Sequence, residues 1–247
     1  MQYFITGTDT NIGKTVVSAW LVQHLNALYW KPIQTGLSDG RDFETVKTLS
    51  RCTENDIIPS CYEFQAPLSP HQAASSENKT VHLDFILETY KKINQRRPLI
   101  IEGAGGLMVP LNQTDLMIDL IQRLTIPVIL VTRTSLGTLN HTLISLEALR
   151  NRSIPVAGVI AVGEANDRNL TDIEFFGQTQ LLARLPILSP LCYNNLLGLQ
   201  LQNALCYPLE TKNPSGIPLH NTIRPMTPSS LPMPEGQACS MKTPKNT

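Results

Sequence analysis

No stretch of the 247-residue chain approaches the roughly 18 consecutive apolar residues that a membrane span requires. Nor does a basic region followed by an apolar core open it, since Gln2 leads at once into the strand-like run Tyr3-Phe4-Ile5; the expectation is a cytoplasmic protein. Net charge is absent too. Twenty Lys and Arg residues balance twenty Asp and Glu, so no global field draws the chain to nucleic acid or anionic lipid, and any phosphate chemistry needs a local anion site. The five cysteines (Cys52, Cys61, Cys192, Cys206, Cys239) are odd in number and form no C-x-x-C pair. That argues against a disulfide framework and against a zinc site, leaving them as small apolar fillers. There is no internal repeat. What remains is an ordinary composition, 42% apolar and 16% charged, with enough apolar residues for a sizeable core.

The most informative stretch is residues 3–15, an apolar strand running through Gly7-Thr-Asp-Thr-Asn-Ile-Gly13 into Lys14-Thr15. Small residues let backbone N–H groups curl around phosphate oxygens, and the helix that follows offers its positive N-terminus. In such a loop Lys14 reaches the β- and γ-phosphates and the Thr15 hydroxyl ligates Mg²⁺. The plain eight-residue pattern wants glycine where Thr8 stands, and Gly7 comes one residue early. Strand before and helix pattern after supply the context the motif demands.

Apolar spacing predicts a helix over 14–26, a strand over 29–33 and a short helix from Asp42 to about Ser50. Residues 57–64 look extended, and 66–74 read as a proline-punctuated loop. A helix from Leu83 to Ile93 leads into a buried strand, 99–101, which feeds Glu102-Gly-Ala-Gly-Gly106, where glycines let the backbone pass close to something bound. A helix over 115–124, a strand over 127–131, a helix opening at Gly137-Thr138-Leu139-Asn140 and running to about Arg150, a strand over 155–162, a helix over 171–182 and a short extended piece, 185–188, complete the pattern. Alternating strands and helices imply an α/β fold, a single P-loop-type domain with a mostly parallel sheet and helices on both faces. Its boundary falls at residue 206. Eight prolines among residues 207–247, with no apolar periodicity, read as a disordered tail, with a lid or interface arm as the alternative.

Ligands of such sheets gather at the carboxyl ends of strands, where the clusters Thr8–Thr15, Lys31–Gly36, Glu102–Gly106 and Gly137–Asn140 all fall. Nucleotide chemistry needs a loop lysine, a hydroxyl on the metal and one or two carboxylates; Lys14, Thr15, Asp42 and Glu102 supply them. Asp42 reads equally as a helix-end residue, and Lys31 either as a second phosphate cation or as a snorkelling surface lysine. Glu102, leaving a buried strand unpaired, carries a desolvation cost that a metal would relieve. The 137–140 turn suits a second anion or ordinary capping by Thr138 or Asn140, and His71 and His141 read as structural.

Taken in order, Gly7 to Thr15, Lys31-Pro-Ile-Gln-Thr-Gly36, Pro67-Leu-Ser-Pro-His71, Glu102 to Gly106 and Leu136-Gly-Thr-Leu-Asn-His141 resemble the dethiobiotin synthase family over about residues 1–206. The early Gly7 is that family's form of the loop. The resemblance implies ATP- and Mg²⁺-dependent carboxylation and ring closure of 7,8-diaminononanoate with CO₂. It implies Lys14, Lys31 and Thr35 as catalytic; Thr10, Asn11, Ile12, Gly13, Lys14, Thr15, Glu102 and Gly105 around ATP; and Thr15, Asp42 and Glu102 on the metal. Thr35, Gly105, Gly137, Thr138, Leu139 and Asn140 would bind substrate in a homodimer, with no nucleic acid or membrane partner. Two features depart from relatives: Val162-Gly163 stands where some place Asn-Asp to read adenine, and no tyrosine lies between Tyr90 and Tyr193 to serve the substrate carboxylate from a second subunit. Other readings are another P-loop small-molecule kinase or ligase, or a nucleotide switch. A guanine-reading [N/T]-K-x-D motif is absent, and Thr8 and Asp9 stand where a partitioning ATPase wants a lysine.

Overall fold

The computed structural model describes residues 1–93, 96–200 and 205. The boundary expected at residue 206 and the proline-rich segment beyond it lie outside these residues.

The strands are β1 (Gln2–Gly7), β2 (Leu28–Trp30), β3 (Ile33–Gln34), β4 (Ile57–Ile58), β5 (Tyr62–Glu63), β6 (Leu99–Gly106), β7 (Val128–Arg133), β8 (Val156–Val162) and β9 (Leu181–Leu185). The helices are α1 (Lys14–Leu25), α2 (Asp42–Ser50), α3 (Pro70–Ser76), α4 (Leu83–Lys92), α5 (Met117–Leu124), α6 (Thr138–Asn151), α7 (Asp167–Gly177) and α8 (Tyr193–Leu197). Seven strands form one parallel sheet in the order β4-β2-β6-β1-β7-β8-β9, and β3 and β5 pair separately, also parallel. The α/β, mostly parallel architecture read from the alternation is the observed one.

Strand alternation decides which face each helix covers. Phe4, Trp30, Ile101 and Val128 point to one face, where Ile86 of α4 and Ile118 and Ile121 of α5 pack on them. Leu130 and Val159 continue that face beneath Leu146 of α6 and Ile173 of α7. Tyr3, Ile5, Tyr29 and Ile100 point the other way, toward Val17 and Trp20 of α1 and Val46 and Leu49 of α2. Glu102 follows Ile100 by two residues on β6, so it faces the same side, where α1 and α2 begin. The central strands are buried on both faces, the reason Val128–Val131 is apolar without alternation.

Five local expectations need correction. Residues 29–33 are not one strand, because the chain leaves the main sheet after Trp30 and Ile33 starts the second. The 66–74 loop contains a helix: Pro70 occupies its first turn, where a missing N–H costs nothing, so a residue read as a breaker is a starter. β6 does not stop at Ile101 but runs to Gly106, which pairs with Gly7. The helix expected over 171–182 lies at Asp167–Gly177, because Asn166 caps it by accepting from the Asn169 N–H and Gln178 ends it in the left-handed region. The strand expected over 185–188 is accordingly Leu181–Leu185, in register with β8.

Candidate active site

β1 ends at Gly7 and α1 begins at Lys14, so residues 8–13 make the whole turn. Gly13 has φ +92°, which favours glycine, and α1 has no side-chain cap, leaving its first amides for a ligand. The position of the early glycine has a steric cause: a Cβ on Gly7 would stand 2.5 Å from Ile12 Cδ1 and 2.9 Å from the Asp9 carbonyl. Lys14 is buried, and its Nζ donates to the Asp9 carbonyl at 3.0 Å. Burial lowers its pKa, Lys31 adding to the effect and the Glu102, Asp42 and Asp9 carboxylates opposing it. The Asp9 carboxylate accepts from the Thr10 N–H at 2.7 Å and pairs with Arg133 Nη2 at 2.7 Å. The Thr10 N–H, then Arg133, hold it below the ordinary carboxylate range despite some desolvation.

One turn below, the first residues of two helices meet the sheet. The Thr15 hydroxyl, in α1, lies 3.0 Å from Asp42 Oδ1, in α2, and 2.9 Å from Glu102 Oε1, in β6. Lys31, just past β2, forms ion pairs with Asp42 Oδ2 and, at 3.2 Å, with Glu102 Oε1. Tyr29 donates its hydroxyl to Glu102 Oε2 at 3.0 Å. Glu102 is therefore not the unpaired acid expected from the sequence. Lys31 is 8% exposed, so the snorkelling alternative does not hold. Burial alone would lower its pKa, but Glu102 and Asp42 outweigh that and raise it. Burial would raise the Asp42 pKa, yet the Lys31 charge and the hydrogen bonds from Lys31, Thr15 and Gln34 bring it down. Asp42 is both a first-turn residue of α2, its N–H donating to Gln34 Oε1 at 3.3 Å, and a member of this cluster.

At the end of β7, Thr132 shares hydrogen bonds with Thr138 at 2.8 Å and Thr142 at 2.7 Å. Neither Thr138 nor Asn140 caps α6; Gly137, with φ +92°, holds the N-cap position and no side chain bonds the first amides. The Thr138 hydroxyl, fully occupied inside the fold, is not on offer to a ligand. Only the backbone of 137–140 and the side chains of half-buried Leu139 and exposed Asn140 are.

Among the expected residues, Lys14, Thr15, Lys31, Asp42 and Glu102 converge. Thr10 and Asn11 are exposed on the loop and Ile12 is buried beneath it. Thr35 follows β3, and its carbonyl accepts from Gln34 Nε2 at 2.8 Å. Gly105 sits in β6 at φ +71° with Val109 against it. Sequence reasoning missed Tyr29 and Arg133. Tyr29 looks like any buried strand aromatic, whereas Arg133, a charge directly after Val-Ile-Leu-Val-Thr, was a signal available to find.

Among the described residues no group of three or more His, Cys, Asp or Glu side chains is placed to hold a metal. Two carboxylates and a hydroxyl are what the cluster offers. Such hard oxygen donors suit Mg²⁺, which keeps several waters and takes substrate phosphates for the rest.

A family model described as AAA domain matches residues 1–193. The ATP-dependent dethiobiotin synthetase of Paramagnetospirillum magneticum is 47% identical over 196 residues, 79% of this chain and 93% of that protein. The one from Lawsonia intracellularis is 44% identical over 205 residues, 83% of this chain and 97% of that protein. Among solved structures, a ParA family ATPase from Chlorobium tepidum TLS superposes with a TM-score of 0.51 at 12% identity, covering 79% of this chain and 87% of that one, a likeness of fold.

Proposed function

The chain belongs to the ATP-dependent dethiobiotin synthetase family, and from that membership we propose that it joins CO₂ to 7,8-diaminononanoate at the expense of ATP. CO₂ adds to one amine to give a carbamate, with loss of a proton. A carbamate oxygen displaces ADP at the γ-phosphorus, and the second amine attacks the carbonyl carbon, closing the ureido ring and expelling phosphate.

In this reading Thr10, the amides of Asn11, Ile12 and Gly13, and Lys14 hold the phosphates. Thr15, Asp42 and Glu102 would hold Mg²⁺, which when bound supplies positive charge to the phosphate oxygens. Lys31, charged because two carboxylates raise its pKa, and Thr35 attend the carbamate and the transferred phosphoryl group. Gly105 and the uncapped amides at 137–140 receive the diamine and its carboxylate. The observation that carries the reading is the meeting of Thr15, Asp42, Glu102 and Lys31 at the start of α1.

A homodimer belongs to the same proposal, supported by Leu136, 99% exposed beside the α6 start, and exposed Ile144 farther along that helix. So does a cytoplasmic location; among the described residues no helix is long and apolar enough to cross a membrane. The test is formation of dethiobiotin and phosphate in equal amounts from diaminononanoate, bicarbonate and ATP. ATP hydrolysis indifferent to the diamine would point instead to a nucleotide switch.

A further inference from the structure

Glu102 is the one member of the cluster whose side chain is wholly shielded from solvent, and its two oxygens are used differently. Oε1 takes the Thr15 hydroxyl and Lys31, on the side where α1 begins. Oε2 takes the hydroxyl of Tyr29. Tyr29 is in β2, adjacent to β6, and is paired in register with Ile100, so it is the diagonal neighbour of Glu102 on the same face of the sheet. It is fully buried among Tyr3, Val46 and Ile100 and cannot turn away.

A carboxylate at the end of its side chain has a broad torsional well about the last bond. Held at one oxygen, Glu102 would swing; held at both, its plane is set. We infer that Tyr29 is a positioning residue for Glu102: its hydroxyl ties down Oε2 so that Oε1 is presented to the metal shared with Thr15 and Asp42. The inference rests on the Mg²⁺-nucleotide reading above. Partners that orient metal ligands in this way are worth about 10-fold to 100-fold in metal affinity or activity. Lys31 cannot replace it, because Lys31 shares Oε1 and is drawn toward Asp42 as well.

Tyr29→Phe removes the hydroxyl and keeps the ring. Binding of ADP should be measured by calorimetry with and without Mg²⁺, alongside melting temperature. The expected result is a rise of about 10-fold in the Mg²⁺ concentration that half-enhances ADP binding, with metal-free ADP binding unchanged. In the Glu102→Gln background the same substitution should have little further effect, since the two act as one unit. Unaltered Mg²⁺ dependence in folded Tyr29→Phe overturns the inference, and so does equal weakening of metal-free binding, which would mark mere packing. Should the variant not fold, the unaltered protein labelled at tyrosine Cζ still decides: one of its six tyrosine signals should move with Mg-ADP but not with ADP, and none moving overturns the inference. If the unaltered protein shows no Mg²⁺-dependent ADP binding at all, the parent reading fails and this one with it. That outcome is distinct from a failure confined to Tyr29.

Discussion

Lys31 Nζ and Glu102 Oε1 form an ion pair at 3.2 Å in which the lysine side chain is 10% exposed and the glutamate side chain not at all. The other lysine of the candidate site is held quite differently. Lys14 Nζ donates to a backbone carbonyl, at 3.0 Å, and burial lowers its pKa where carboxylates raise that of Lys31. Two lysines that look alike as phosphate ligands thus have opposite relations to the stability of the fold.

Lys31→Ala should abolish dethiobiotin formation and also destabilise the protein. It takes from Glu102 and Asp42 the cation that ion-pairs with both, and removing one partner of a buried pair costs about 3–5 kcal/mol. Urea denaturation beside the turnover assay checks both parts. A folded variant as stable as the parent would mean that the carboxylates are relieved in some other way.

Lys14→Met should abolish turnover as well, yet leave the ligand-free protein at least as stable. The substitution removes a desolvated charge while keeping most of the apolar stem, and sites shaped for ligands commonly sacrifice stability of this kind. The expected gain is about 0.5–2 kcal/mol, read as a higher melting temperature without nucleotide. A marked loss of stability would show that the Lys14 contact with Asp9 is part of the folding scaffold.

The pH dependence of stability follows from Asp42 and Lys31. The Asp42 pKa is lower folded than unfolded, so its stabilisation is complete above the unfolded value of about 3.9 and disappears as pH falls through the lower folded value. The Lys31 pKa is raised, so its share is complete below the unfolded value of about 10.4 and is lost as pH rises through the higher folded one. Between roughly pH 5 and 9 both are fully present. Asp42→Asn should therefore lie below the parent by a constant amount across that range and approach it only in strong acid. Urea midpoints at several pH values test this; a gap that closes already near neutrality would assign the effect to other groups.

The sheet and most of the cluster were legible because the signals are local: apolar runs, glycine turns and charges close after them. What could not be read depends on distance or on ambiguous residues. Tyr29 and Glu102 are 73 residues apart, and nothing near either announces their hydrogen bond. β6 runs through glycines that carry no strand preference, its extension to Gly106 being imposed by pairing with Gly7. Pro70 serves as a helix start as readily as a break, and context decides. The α7 frame slipped by about a turn because Asn166 and Gln178, which cap its ends, are polar residues inside a weak apolar pattern.

The last expectation concerns the nucleotide base. Val162, at the end of β8, leans on the phosphate loop: a Cβ on Gly13 would stand 3.2 Å from Val162 Cγ1. The side chain that stands where some relatives read adenine is thus apolar and already packed. The backbone beside it is committed too. The Gly163 carbonyl accepts from Arg184 Nη1 at 3.0 Å, and the Gly163 N–H donates to the Leu185 carbonyl at 2.9 Å. Strong discrimination among bases arises when a wrong base leaves a buried donor or acceptor unpaired, and at Val162-Gly163 no such group is left over. CTP and GTP should therefore support dethiobiotin formation with kcat/KM within about 10-fold to 100-fold of ATP, a range that a shape-selective apolar site allows. Turnover with each triphosphate at matched free Mg²⁺ tests this directly. A preference for ATP beyond 10⁴-fold would require polar groups elsewhere to read the base, and Val162→Asn should then leave that preference unchanged.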